Sequence, residues 1–409
     1  MRLYLRLAWR NIWRHRRRTG IVVIAMSMGL ALMMFYDGTV AGFEQAIYGN
    51  AIKILGGNIQ VHAGGYRASN SSVPLLPLPD PQAAIDAALA QPQVITASRR
   101  INTGGLATSR EGAFSVSIVG IDPETEAPIS LPAQNVASGR YLTAADLDVA
   151  FIGMGLAKAM EVQVGDRFEL VGRAAHEQMR RRSMTVGGIY DLGLTDIEKR
   201  TIYLSLGEAQ QLYGLDGQST EVVIFLESLG QEPAVIRAIS PALAGMEIDS
   251  WETNFPELTQ ALGTKNGVMN VFSVIILMIA GVGILNLLLM AVYERTREIG
   301  LLGALGLKPR QISTLFVLEG TMMGLVGVAA GIALGLLLNG VMSKVGFDYS
   351  SFSGLTSYTA LITGRVYTTL GTERLLMRAL TVAVIAALAS VYPAREASLR
   401  EPAEALHFV

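Results

Sequence analysis

The sequence predicts a membrane protein: a four-transmembrane-helix bundle with a large α+β extracytoplasmic domain between helices 1 and 2. Three observations carry that expectation. Apolar residues gather into four stretches, the long region between the first two reads like a water-soluble fold, and a block of arginines precedes the first stretch. Of the 409 residues, 51% are hydrophobic and only 16% charged, well under the roughly 25% charged of ordinary soluble domains.

A helix needs about 20 apolar residues to cross a hydrocarbon core about 30 Å thick. The first candidate occupies residues 19–42 and carries IVVIAMSMGLALMMFY before Asp37. The second, residues 267–293, contains VMNVFSVIILMIAGVGILNLLLMAV; the third is residues 312–343 and the fourth residues 375–392. The fourth has the shortest apolar run, and its length also fits an interfacial or re-entrant segment. Residues 344–374 form the outer loop between the last two spans.

Orientation follows from the arginines. Residues 1–18 hold Arg2, Arg6, Arg10, Arg14, Arg16, Arg17 and Arg18, with no acidic residue among them. Positive charge flanking a span is retained in the cytoplasm, so the N-terminus is expected inside. Four crossings then bring the tail, residues 393–409, back to the same side. Arginines at 2, 6, 10 and 14 share one helical face, and with Trp9 and Trp13 they suit an amphipathic helix lying along anionic headgroups. The alternative is a cleavable signal peptide; the length of the apolar run and the lack of a clean small-x-small site favour a retained helix.

Residues 43–266 are expected outside. Short alternating runs bounded by Gly, Pro, Asp or Ser predict strands at Asn58–His62, Ser115–Ile121, Arg167–Val171, Ser183–Ile189, Thr201–Leu204 and Glu221–Leu226. Helical runs intervene at Pro81–Ala90, Leu156–Met160, Leu206–Tyr213 and Glu232–Ile239. Ser69–Pro81 reads as an exposed loop, and the turn-rich stretch Tyr141–Ala150 suggests a division into two lobes. Arg180–Arg182 is expected in a solvated loop. Both ends of this region, residues 39–55 and 256–265, keep helical character and look like continuations of the membrane helices.

Several chemistries are unsupported. A net charge of −1 implies no attraction to nucleic acid, zero cysteines exclude disulfides and thiolate metal sites, and the four histidines are scattered. No G-x-x-x-x-G-K-[ST] phosphate loop is present, and GTKNG at 263–267 lacks both its spacing and its hydroxyl. Neither a G-x-S-x-G elbow nor an H-E-x-x-H pair marks a hydrolase. No catalytic residue and no bound metal is expected.

The most informative segment is ERTREIGLLGALGLKPRQI, Glu294–Ile312. Charges come first, then Ile299, Leu301, Leu302, Ala304 and Leu305 form an apolar patch, and Gly306 and Pro309 supply stop signals. A cytoplasmic loop exposing such a patch implies a protein partner or a helix resting on lipid; chemistry alone weighs these evenly. The segment resembles the signature E-R-x-x-E-I-G-x-L-x-A-L-G of the ABC permease family that includes LolC/LolE, MacB and FtsX, matching at Glu294, Arg295, Glu298, Ile299, Gly300, Leu302, Ala304, Leu305 and Gly306. The opening LAWRNIWRHRRRTG and the tail YPAREASLREPAEAL resemble that family's two other motifs. The resemblance implies that residues 294–311 hold a coupling helix docking into an ATPase. It implies two ATPase subunits binding ATP and Mg, expected on separate chains because this sequence has no phosphate loop, a second permease subunit (identical or a paralogue), and a periplasmic chaperone or adaptor as a further partner. It also implies a bacterial inner (plasma) membrane location and a MacB-like outer domain.

Within the third span, Gly320, Gly324, Gly327, Gly331 and Gly335 recur at helical spacing, which permits close helix approach in a permease dimer or within one chain. Glu319 beside them wants a partner, because a carboxylate at a span centre costs about 2.5–3.5 kcal/mol; an arginine near the cytoplasmic face or hydration would serve. Asp37 is expected to be solvated. By resemblance to LolC/LolE, supported by GGNIQVH at 56–62, the expected cargo is lipoprotein or another amphiphile. Met33, Met34, Phe35, Val271 and Phe272 are candidate groove residues, with membrane lipids as neighbours. The alternatives are an FtsX-like mechanotransmitter activating an extracytoplasmic hydrolase and a MacB-like efflux permease.

Overall fold

The computed structural model describes residues 2–14, 16–69, 74–174, 178–294, 296–348 and 365–399. Arg295 and the tail from residue 400 lie outside the described residues. The chain divides into two compact units, one of Met1–Phe43, Ala261–Phe347 and Val366–Val409, the other of Glu44–Gln260 and Asp348–Arg365.

In chain order, helices α1 (Arg2–Arg14) and α2 (Arg16–Leu55) come first, followed by β1 (Ile59–Ala63), α3 (Pro81–Leu89), β2 (Val94–Ser109) and β3 (Gly112–Ile121). Next are α4 (Pro123–Glu126), α5 (Leu131–Gln134), β4 (Val136–Gly139), β5 (Val149–Gly153), α6 (Met154–Met160), β6 (Arg167–Arg173) and β7 (Met179–Tyr190). The outer region closes with α7 (Thr195–Glu198), β8 (Thr201–Ser205), α8 (Leu206–Tyr213), β9 (Glu221–Leu226), α9 (Glu232–Ile239), β10 (Met246–Ser250) and α10 (Trp251–Asn254). Then come α11 (Pro256–Glu294), α12 (Thr296–Ala304), α13 (Pro309–Val345) and α14 (Leu375–Ser398).

Among the described residues, three helices are long and apolar enough to cross a membrane: Thr19–Leu55, Pro309–Val345 and Leu375–Ser398. Where the second span is expected, the chain forms the 39-residue helix α11.

The helical unit is held by close backbone approach. A methyl on Gly327, Gly331 or Gly335 of α13 would meet, in turn, Met26, Leu30 with Ser27, and Met34 of α2 at 2.7–2.9 Å. Side chains four apart on one helix thus enter three glycine notches four apart on the other, and the increasing numbers on both show that α2 and α13 run parallel. Gly324 faces Ala386 of α14. Gly320 is buried in the same helix. The glycine ladder is a seam within one chain.

Polar residues fasten one end of this bundle. Asp37 is not solvated: both oxygens of its carboxylate accept from the Arg378 guanidinium at 3.0 Å, and the pair is largely buried. The sequence hides that pairing, because its two members lie 341 residues apart. Nearby, the fully buried Asn339 donates to Met34 O at 2.9 Å and Leu370 O at 3.0 Å. Thr369 N donates to Gly38 O at 3.0 Å, so residues 366–371 are fixed to α2 and α13. Glu319, also buried, accepts from the Asn11 side chain of α1 at 3.4 Å.

The second unit is built on a ten-stranded sheet in the order β10-β1-β9-β2-β3-β8-β5-β7-β4, with β6 pairing both β2 and β7. Most neighbours are antiparallel; β3–β8 and β5–β7 are parallel. One core lies under α6 and α8, around Ile118, Ile152, Leu170, Leu204 and Tyr213. Another lies under α3 and α9, around Ile59, Val61, Val222, Ile224 and Val235. The sheet runs without a break past Tyr141–Ala150, so no lobe division occurs there. Arg180–Arg182 lies in β7 and not in a loop. Arg180 donates to Gln211 O at 2.9 Å, and Arg182 pairs with Asp148 and lies 3.0 Å from Glu208. Pairing with β6 and these carbonyl and carboxylate acceptors make an otherwise improbable arginine run a strand.

Candidate functional site

Thr296–Ala304 folds as a short helix between two long ones, and packing divides the apolar residues from Ile299 to Leu305 into two faces. Thr296, Ile299 and Gly300 are buried. Ile299, only 2% exposed, packs with Val292 of α11, Ile312 of α13 and Ala397 of α14. Thr296 Oγ1 donates back to Tyr293 O at 2.8 Å, which satisfies its hydroxyl at the α11–α12 junction. The opposite face carries Leu301 at 54% and Leu305 at 71% exposure, one turn apart. Ala304 is exposed beside them and Leu302 half-buried.

The stop is sharp. Gly306 has φ +94°, a conformation that glycine adopts without penalty, and Leu307 N returns to Leu302 O at 3.2 Å. Pro309 then occupies the first turn of α13, while the Gln311 side chain accepts from Lys308 N at 2.8 Å. Two leucines therefore stand out on a rigid knuckle fixed at both ends. The charged residues lie on its rim: Glu294, Arg297 and Glu298 are exposed, and Arg14 of α1 reaches Glu298 at 3.9 Å.

Helix α1 flanks this region. Its Ala8 is buried and its Ile12 is buried in a cluster with Val22, Met26 and Met323, while Trp9 and Trp13 stay exposed in edge contact at 6.1 Å. Arg6, Arg10 and Arg14 are exposed as well, so the helix offers tryptophans and cations together, as an interfacial helix does.

The candidate groove residues do not gather. Met33 and Met34 are buried with Leu30, Val328 and Val382, and Phe35 is half-buried in edge contact with Phe347 at 6.2 Å. Val271 is exposed on α11, and the side chain of Phe272 lies outside the description. The face that α2 leaves open is Met28, Leu32 and Tyr36. Periodicity marks these positions as one stripe, but the apolar sequence gives no sign of which stripe faces inward.

A long apolar helix set joined to an α/β domain, with a braced apolar knuckle between two long helices, defines a membrane permease. The MacB-like periplasmic core domain matches residues 19–242 and the FtsX-like permease C-terminal domain matches residues 270–402. The chain belongs to the MacB/FtsX-type family of ABC transporter permeases. It is 23% identical over 416 residues to the lipoprotein-releasing system transmembrane protein LolC of Xylella fastidiosa, covering 97% of this chain and 96% of that one. It is 27% identical to the pyoverdine export ATP-binding/permease protein PvdT of Pseudomonas syringae, covering 89% of this chain and 56% of that one. Among solved structures it resembles the periplasmic region of MacB from Actinobacillus actinomycetemcomitans, at 12% identity with a TM-score of 0.33, over 52% of this chain and 95% of that one.

Proposed function

We propose that this chain is the non-catalytic permease subunit that couples ATP hydrolysis on a separate ATPase to motion of its outer domain, and that the motion extracts lipoproteins or similar amphiphiles from the outer leaflet of the inner membrane. The observation that carries the reading is the exposed Leu301–Leu305 face on a helix whose other face is bolted into the bundle through Ile299. An apolar pair held rigidly at a chain reversal suits docking into a partner's cleft, because little conformational freedom is lost on binding. Its sequence also matches the coupling motif residue by residue apart from the unread variable positions.

Topology supports the same scheme. No charged residue interrupts Val268–Val292 of α11, so that helix provides the crossing between α2 and α13. Four crossings place both termini and α12 in the cytoplasm, as the arginines require. The LolC type is favoured over the export type by the GGNIQVH entry at 56–62. The exposed stripe Met28, Leu32 and Tyr36, with Val271, offers apolar surface for acyl chains, each buried CH₂ contributing about 0.8 kcal/mol.

The test uses Leu301→Asp and Leu305→Asp, which alter the exposed face and leave the Ile299 cluster untouched. Each is expected to weaken ATPase association by about 30-fold, the effect of a central interface residue contributing about 2 kcal/mol. ATPase binding measured at wild-type strength in both variants would remove the docking assignment. Ile299→Asp is the wrong probe, since a charge there unfolds the base of the bundle.

A further inference from the structure

Helices α2 and α11 are each part of both units, and their outer ends meet a buried polar cluster that no apolar packing requires. α2 stops at Gly56 and Gly57, both at positive φ, with both amides returning to Ile52 O. A glycine pair at a helix end is by itself a swivel. Immediately after it, Asn58 is buried and fully engaged: its Oδ1 accepts from Leu226 N at 3.0 Å and its Nδ2 donates to Glu232 Oε1 at 2.9 Å. The same oxygen accepts from Trp251 Nε1 at 3.0 Å, and Glu232 Oε2 accepts from Gly230 N at 2.7 Å. Trp251 is the first residue after β10 and opens α10, which leads into α11, and its backbone N–H donates to Asn58 O at 3.0 Å. A second tie runs in parallel: Gln60 Nε2 donates to Gly56 O at 3.1 Å while Gln60 Oε1 accepts from Asn254 Nδ2 at 2.9 Å.

A carboxylate that is 1% exposed is an expensive way to stabilise a fold, since apolar groups of the same shape commonly do as well or better. What it adds is direction: fixed bonds from one side chain to two others. Here those two are the residue that follows the glycine pair after α2 and the residue that opens the path to α11. They also sit at the facing ends of β1 and β10, where Ile59 pairs with Ser250.

We propose that Asn58, Glu232 and Trp251, with Gln60 and Asn254, form a transmission node that locks the outer end of α2 to the beginning of α11, so that the two helices drive β1 and β10 as one part. The node rests on the reading of the chain as an ATP-driven coupler. These are positioning residues; they touch neither nucleotide nor cargo. Without the ties the glycine pair swivels, and movement of one helix is lost before it reaches the sheet.

The test uses the full chain assembled with its ATPase. Because the sequence has no cysteine, cysteines placed at the exposed Glu111 and Lys344 carry spin labels without interference, and the distance between them is followed with and without ATP. Asn254→Ala and Gln60→Glu cut the same tie from opposite sides, the second keeping the acceptor for Asn254 and losing the donor to Gly56. Each is expected to reduce the ATP-dependent shift by about half or more with ATPase rate held within about two-fold, and the double variant to add nothing, as residues in one network do. Arg140→Ala, which breaks an ion pair elsewhere in the domain, should leave the shift intact. Variants that move as far as wild type, or an Arg140→Ala chain that loses the shift equally, overturn the node alone. A wild-type assembly that does not move with ATP overturns the coupler reading and the node with it.

Discussion

At the scale of single residues, the bundle depends on atoms that are missing. A methyl on Gly331 would lie 2.9 Å from both Leu30 Cβ and Ser27 O, and the latter is backbone that cannot swing aside. Gly331→Ala is therefore expected to destabilise the bundle by about 1–3 kcal/mol, the usual range for overpacking. Gly340→Ala on the same helix meets nothing within 4 Å and should change thermal unfolding in detergent by no more than about 0.5 kcal/mol. Equal effects from the two would contradict the seam. The Asp37–Arg378 pair makes a second case. Arg378→Leu leaves a largely buried carboxylate unpaired and is expected to cost about 3–5 kcal/mol. Adding Asp37→Asn should recover part of that loss, and the recovery can be read from the melting temperature of the double variant.

At the scale of elements, legibility followed the strength of local signals. β9, α8 and α9 stand at the bounds their patterns predict: Ser205 and Gly214 cap α8, Pro233 lies in the first turn of α9, and β9 is a wholly buried run. β2 escaped, since Arg99, Arg100, Asn102 and Thr103 interrupt its apolar residues; its buried Arg100 is answered by the Glu126 carboxylate at 2.7–2.8 Å, a partner 26 residues away. β10 escaped for a like reason, with Glu247 and Asp249 met by Arg67. In α12 the motif located the helix, but Ile299 and Leu301 are equally apolar, and only the neighbouring helices decide which is covered. Titration separates two elements of the outer domain. Arg140 hydrogen bonds hold the Asp146 carboxyl below its ordinary 3.8, so its stabilising contribution is full above that value and is lost as pH falls through the folded pKa. Burial pushes Glu208 above its ordinary 4.5, which has the opposite sign: stability is full below about 4.5 and declines as pH rises through the raised value. Glu208→Gln should flatten that decline in thermal melts taken across weakly acidic pH, and Arg140→Ala should blunt the acid limb below it. A Glu208→Gln chain with an unchanged pH profile would refute the first assignment.

At the scale of the whole molecule, α2 and α11 each run from the helical unit into the unit that holds the sheet, and α12 follows α11 in the chain. The membrane class and the outer domain were legible from hydropathy and strand punctuation; the inward faces of the helices were not, because an all-apolar helix has no polar side to orient it. Depleting the protein from cells is expected to leave lipoproteins in the inner membrane, as membrane fractionation would report. Normal lipoprotein sorting would refute the cargo while sparing the permease assignment.

The adjacency of β1 and β10 has a consequence for how such a protein is assembled and altered. The polypeptide comes into the sheet and departs from it on neighbouring antiparallel strands, so everything between Ile59 and Ser250 is a cassette whose two ends already touch. Expressed alone, the cassette has to carry its flanks with it, since Asn58 and Trp251 satisfy the buried Glu232 carboxylate and Ala51 and Ile54 of α2 pack into its core. It can be exchanged for another insert with the same end spacing, which lets one membrane chassis carry different outer heads.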